Sequence, residues 1–269
     1  MEAVNVLENS KQERQSPPSR EPGVCPVCKG TGILLVGTEI DGERCAIYPL
    51  GTDLATKIVH CPVCSPEKRR PWLAKYSGLE PDEQASRMHD WKCNIGDNGR
   101  SRQRRAVQEI MEQVIGQTRP HGLYTFWGDF GSGKTYAQQI ILNELRELRL
   151  IEGYYAPFAV VLNHLRQMYA AQQDTTSFWD RLLNVPALAL DEITRFDESK
   201  AWAQERLFEL VDTRYRRRGT HLTLFGTNED PNQRLSPDEA IGYWFSRARE
   251  GELLELRGDL RQAVKKEAR

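Results

Sequence analysis

The chain of 269 residues carries a formal net charge of −1 and 39% hydrophobic residues, an ordinary globular composition for one large or two modest domains. Near-neutrality excludes a protein that wraps nucleic acid by bulk charge, though local basic patches remain compatible with it. No apolar run approaches the ~20 residues of a membrane helix, and the N-terminal stretch lacks the apolar core of a signal peptide. A cytoplasmic, reducing setting is the default, in which six cysteines are free or metal-bound sooner than disulfide-bonded.

Residues 1–20 are polar, charged and proline-bearing, and read as a disordered tail. Residues 21–70 contain two C-x-x-C knuckles, "CPVCKGTG" at Cys25/Cys28 and "CPVCS" at Cys61/Cys64. Each knuckle offers two thiolates on one tight turn. Together they complete a tetrahedral shell for Zn²⁺ that leaves no position for water, which makes the predicted site structural. The spacer of 32 residues is long for a zinc ribbon, and an inserted β-hairpin fills it, with "GILLVG" and "IYPLGTDLATKIVH" as strands. Two unrelated cysteine pairs, or redox pairs, are the alternative. One cysteine repeat without a J-type helical domain does not make a DnaJ-type unit. Cys45 and Cys93 are left over as free thiols.

A helical linker broken by prolines and glycine spans 71–119. It includes an amphipathic helix with Val107, Ile110, Met111, Val114 and Ile115 at helical spacing. From 120 to 269, apolar runs alternate with helical patterns: "LYTFWG", "YAQQIILNELREL", "PFAVVL", "PALALDE", "AWAQERLFELVDTRY", "HLTLFGTN". Alternation of this kind predicts an α/β fold with a mainly parallel sheet.

"GDFGSGKT" fits G-x-x-x-x-G-K-[ST] and stands between an apolar strand and a helix. Gly128, Asp129, Phe130, Gly131, Ser132 and Gly133 turn successive backbone N–H groups toward phosphate, and the helix start adds its positive dipole end. Lys134 is placed to reach the β/γ oxygens of ATP, and the Thr135 hydroxyl to ligate Mg²⁺. "PALALDEI" is a strand ending in two carboxylates, of which Asp191 is the expected Mg²⁺ partner and Glu192 the group that polarises the attacking water. The strand "HLTLFGTN" ends in Thr227 and Asn228, and Asn228 is placed to orient the water or touch the γ-phosphate.

The run "GDFGSGKT", "LALDEI", "LFELVDTRYRRRGTHLTLFGTN", "FSRAREG" and "GDLRQ" resembles an AAA+ ATPase, and more narrowly the DnaC/DnaI group of replicative helicase loaders. The cysteine-bearing front end followed by "YSGLEPDEQASRMHDW" is similar to the same group. The resemblance implies an AAA+ P-loop ATPase core behind a small N-terminal zinc-binding domain. It further implies hydrolysis of ATP at subunit interfaces, with self-association through ATP-bridged contacts. As partners it implies a hexameric replicative helicase, docked by the front domain, and single-stranded DNA, engaged by the ATPase domain. The host would be a bacterium or a phage growing in one.

Arg247 in "FSRARE" matches the arginine that serves a neighbour's γ-phosphate, and Arg261 in "GDLRQ" the sensor arginine of the same subunit. Surface ion pairs with Glu250, Glu252 or Asp259 are the alternative for both. About forty residues follow Asn228, so the C-terminal lid is expected to be reduced. The arginines of "RYRRRG" and "GRSRQRR" suit either helix-end packing or contact with a phosphate backbone. A transposition-helper ATPase of the IstB kind shares the same core, and a nucleotide-dependent adaptor with negligible turnover is the non-enzymatic alternative.

Overall fold

The computed structural model describes residues 66–94, 98–197, 200–232 and 240–260. It also gives four short strands upstream: β1 (Ile33–Leu35), β2 (Glu39–Ile40), β3 (Glu43–Arg44) and β4 (Ile58–His60). β1 pairs antiparallel with β4, with Ile33 opposite His60, and β2 pairs antiparallel with β3. The tail 1–20, Cys25, Cys28, Cys45, Cys61, Cys64 and Arg261 lie outside the described residues. No helix among those described is long and apolar enough to cross a membrane.

Helices α1 (Pro66–Lys75) and α2 (Asn98–Gly116) precede the main sheet. Its strands are β5 (Gly122–Gly128), β6 (Gly153–Pro157), β7 (Ala187–Asp191), β8 (Leu222–Thr227) and β9 (Glu252–Leu256), all parallel, in the order β6-β7-β8-β5-β9. The connecting helices are α3 (Lys134–Arg149), α4 (Phe158–Ala170), α5 (Thr176–Asn184), α6 (Ala201–Arg216) and α7 (Ala240–Ala248).

Both faces of the sheet are covered, and strand alternation assigns the side chains. Leu188, Leu190 and Phe225 pack with α4, α5, α6 and α7. Ala187, Ala189, Leu222 and Leu224 pack with α2 and α3 on the opposite face. A two-residue period distributes consecutive side chains to opposite faces, so a strand buried on both sides reads as a continuous apolar run.

Two differences from the sequence reading concern the chain's periodicity. "PFAVVL" is no strand: the strand is "GYYAP", and Pro157 stands at the N-cap of α4. Phe158, Val161, Leu162 and Leu165 are its buried residues, at offsets of three, four and seven, which is the helical pattern. The C-terminal stretch is also more than a lid remnant, because 252–256 form β9, the edge strand beside β5.

The stretch read as a helical linker packs onto the core. Leu79 and Trp91 are buried in the α2/α3 face, and Tyr155 N–H donates to Ser77 O at 2.8 Å, covering the edge of β6. A Cβ on Gly78 would lie 2.1 Å from Tyr155 O, so only glycine permits that approach. Arg181 fixes the same segment from below: fully buried, it donates to Glu152 Oε1 (2.8 Å) and Tyr76 O (2.8 Å).

Much of the basic run at the end of α6 turns inward or pairs locally. Arg214 is fully buried and donates to Thr223 Oγ1, Val185 O and Leu222 O. Arg217 donates to Leu183 O and Asn184 Oδ1, and Arg216 pairs with Asp212. Burial, with Arg214 and Arg217 beside it, pushes the His221 imidazole down to about 4. The folded chain thus keeps His221 neutral where the unfolded chain takes up a proton. Its contribution is complete above the ordinary value of 6.5 and is lost as pH falls toward 4. Urea unfolding should show the wild type losing stability through this window faster than His221→Gln, by up to about 1.4 kcal/mol per pH unit. Parallel pH profiles for the two proteins would exclude the effect.

Candidate nucleotide-binding site

The phosphate loop joins β5 to α3, and three of its glycines have positive φ: Gly128 (121°), Gly131 (72°) and Gly133 (100°). At Gly128 there is a second constraint, since a Cβ would stand 2.3 Å from Leu256 O. The chain after β9 is seated on the loop. Asp129 N–H donates to Leu256 O (3.1 Å), Leu260 N–H to Gly131 O (3.0 Å), and Gly258 N–H to Asp129 Oδ2 (2.7 Å).

The Lys134 ammonium donates to the carbonyls of Gly128 (3.0 Å) and Asp129 (2.7 Å). Burial lowers its pKa, and the nearby carboxylates of Asp191, Asp129 and Glu192 oppose that shift. From α2, Arg104 reaches under the loop, donating to Ser132 O (3.2 Å) and Lys92 O (2.5 Å) while its guanidinium stacks 3.8 Å from the Trp91 ring. Phe130 and Ser132 differ sharply in exposure. The phenyl ring of Phe130 is 63% exposed, whereas Ser132 is buried with its hydroxyl unpartnered.

Parallel pairing of β7 beside β8, and β8 beside β5, brings the acidic strand tip to the loop. Asp191 is buried; its Oδ2 accepts from Thr135 Oγ1 and from Tyr155 Oη (3.3 Å), and its Oδ1 from Glu192 N–H (2.9 Å). Burial and the Asp191 charge push the Tyr155 phenol far up, so it stays a protonated donor. Glu192 has φ 47°, a left-handed conformation rare for a residue with a Cβ. Such strain costs about 1–3 kcal/mol and clusters at functional positions. Its carboxylate accepts from Arg195 Nη1 at 2.9 Å.

Phe130, Lys134, Thr135, Asp191, Glu192 and Asn228 line one cleft of about 340 Å³. The adjacent hydroxyl of Thr135 and carboxylate of Asp191 form a hard-oxygen donor set, which fits Mg²⁺. The four knuckle cysteines are outside the described residues. Among those described, no group of three or more His, Cys, Asp or Glu is arranged to hold a metal.

Arg247 does not line this cleft. Its guanidinium pairs with Glu250 (2.7 Å) and lies over the rings of Tyr215 (4.4 Å) and Tyr243 (4.9 Å). The surface ion pair drawn as an alternative from sequence is therefore present in the isolated chain. Arg249 donates to Pro231 O and Arg257 pairs with Glu255.

Sequence reading missed Tyr155, Arg104 and Arg195. Nothing in the local pattern around a strand tyrosine or a helix arginine announces a partner 36 residues away in the case of Tyr155, or the phosphate loop 28 residues away in that of Arg104.

No protein-family model matches the sequence, and no curated protein matches it either. Among solved structures the chain is similar to AMPPCP-bound DnaA from Aquifex aeolicus, at 18% identity and TM-score 0.53, over 71% of this chain and 55% of that one. It is similar to the DnaC helicase loader at 17% identity and TM-score 0.52, over 66% of this chain and 100% of that one. For DnaI the values are 21% and 0.50, over 67% and 92%. The fold is that of the AAA+ P-loop ATPases. The chain spans only 55% of the DnaA structure it matches, and identities this low establish the architecture alone.

Within this AAA+ core, Arg104 is the tie between α2 and the phosphate loop. Arg104→Met keeps much of the packing on Trp91 but leaves Ser132 O and Lys92 O without their donor, a loss of about 1–3 kcal/mol. Hydrogen exchange should show faster opening of 128–134 in this variant, and unchanged protection there would refute the tie.

Proposed function

We propose that the protein is a Mg²⁺-dependent ATPase that loads a replicative helicase onto single-stranded DNA. The observation that carries the reading is the convergence of Lys134, Thr135, Asp191, Glu192 and Asn228 on one cleft of an AAA+ core. The fold match over the whole of the DnaC helicase loader chain supports the narrower assignment.

In this reading Lys134 exchanges its two loop carbonyls for β- and γ-phosphate oxygens. Thr135 and Asp191 would hold Mg²⁺, which when bound would neutralise charge on those oxygens. Glu192, released from Arg195, accepts the proton of the attacking water, and Asn228 orients that water from the tip of β8. Arg247 exchanges Glu250 for the γ-phosphate of a neighbouring subunit, where its planar fork of donors suits the oxygens. Arg261 serves its own subunit's nucleotide.

Residues 21–70 form the zinc module and dock the helicase, and 71–119 join it to the ATPase domain at 120–269. The β1–β4 register supports the module: it sets Ile33, five residues past Cys28, opposite His60, which precedes Cys61. Cys61→Ser in the full chain should lose stoichiometric zinc and helicase association together, while nucleotide binding survives. Full zinc retention would sink the module.

Two inactive variants test the trans role of Arg247. Arg247→Ala should bind ATP normally but lose on the order of 10³-fold or more in hydrolysis. Lys134→Ala has a dead site but an intact finger to lend. Mixing them should restore activity at interfaces where a Lys134→Ala subunit serves an Arg247→Ala subunit. Mixtures that stay inactive despite measured co-assembly would refute the assignment.

A further inference from the structure

Gln138 lies one turn along α3 from Lys134 and is completely buried. Neither its carboxamide nitrogen nor its oxygen has a hydrogen-bond partner. Burial of an amide without partners opposes folding, so a native protein that keeps one has a use for it.

Its surroundings show what the amide is aimed at. A Cβ added to Gly226 of β8 would fall 2.0 Å from Asp191 Oδ1 and 2.5 Å from Gln138 Nε2. The two atoms therefore converge above the bare Cα of Gly226, and any side chain at 226 would occupy their meeting place. Gly226 does not have a positive φ and belongs to a fully buried central strand. Conformational freedom is not the reason for glycine there; close approach is. Two residues farther along, just past the end of β8, stands Asn228, which lines the cleft.

We infer that Gln138 is a positioning residue for the metal ligand Asp191, admitted to the carboxylate by Gly226; the inference rests on the Mg²⁺-nucleotide reading above. Thr135 and Tyr155 hold Oδ2, and Glu192 N–H holds one side of Oδ1. The Gln138 Nε2–H, unpartnered in this structure, is the donor that stands beside the remaining side of Oδ1 and closes on it when the cation is bound. With Oδ1 held on both sides, the carboxylate cannot swing about its Cβ–Cγ bond, and Oδ2, once the Thr135 hydroxyl turns to the cation, would keep a lone pair directed into the cleft. Lys134, Thr135 and Gln138 share the first turns of α3, so the phosphate-binding ammonium, the metal-binding hydroxyl and this amide form one rigid unit.

Gln138→Leu separates positioning from packing, because the two roles predict opposite signs. An apolar side chain of similar shape in place of a partnerless amide should leave the nucleotide-free melting temperature equal or higher. Binding of AMPPCP, measured with excess Mg²⁺ and with EDTA, should show the Mg²⁺-dependent gain in affinity reduced about 10–100-fold, the range for outer-shell partners of metal ligands. Affinity in EDTA should be unchanged. Gly226→Ala, which drives a methyl group into Asp191 Oδ1, should reduce the same gain, and adding Gln138→Leu to it should reduce it no further. Full retention of the Mg²⁺-dependent gain in Gln138→Leu, or a lowered melting temperature without nucleotide, overturns the role of Gln138. Wild-type affinity that is equal with Mg²⁺ and with EDTA overturns the parent reading as well.

Discussion

The hydroxyl of Thr135 meets the carboxylate of Asp191 across a gap that β8 has to leave open. β5 and β7 are not neighbours; β8 lies between them and pairs in parallel with both. The first turn of α3 and the tip of β7 therefore come together only over the end of β8, and Gly226 is where the space is made. Other features of the site depend on that meeting. Tyr155 reaches Asp191 from the strand on the far side, and Glu192 follows Asp191 in a strained conformation that turns its side chain toward the cleft. Parallel strands share a carboxyl end, so the loop, the acidic tip and Asn228 necessarily emerge on one side.

Two charged groups of the cleft, and Arg247 outside it, are already paired within the chain. Lys134 is held by two loop carbonyls, Glu192 by Arg195, and Arg247 by Glu250 and two tyrosine rings. Under the proposed function each pairing is exchanged for a partner: a phosphate for the carbonyls, a water for Arg195, a neighbour's nucleotide for Glu250. Such exchanges keep desolvation small, because a buried charge left bare costs far more than one passed between partners.

Several of the chain's arginines are spent inside the fold. Arg214, Arg217, Arg181 and Arg104 spend their donors on backbone carbonyls, an amide oxygen, a threonine hydroxyl and one buried carboxylate, and they join elements rather than face solvent. Guanidinium groups suit this work, since five donors in a rigid plane can satisfy several carbonyls at once where strands, helices and loops end together. Arg104 and Arg181 in particular fasten the segment between α1 and α2 to the phosphate loop and to α5.

What the sequence determined by itself was chemistry carried by neighbours in the chain. "GDFGSGKT" between a strand and a helix, and "LALDEI" as a buried run ending in carboxylates, need only a few consecutive residues, because loop conformation and strand burial are set locally. The alternating pattern likewise gave the parallel α/β class. Periodicity misread "PFAVVL", since a short apolar run carries both periods and Pro157 decides between them only through the cap it makes. Tertiary structure alone decided the strand order, the return of 252–256 as β9, and the packing of 77–91 on the core. It alone assembled the surroundings of Asp191 from four separate elements. Tyr155, Gln138 and Gly226 are brought together with Asp191 across separations of 35 to 88 positions of sequence, and no local pattern encodes a neighbour that only the folded sheet brings within reach.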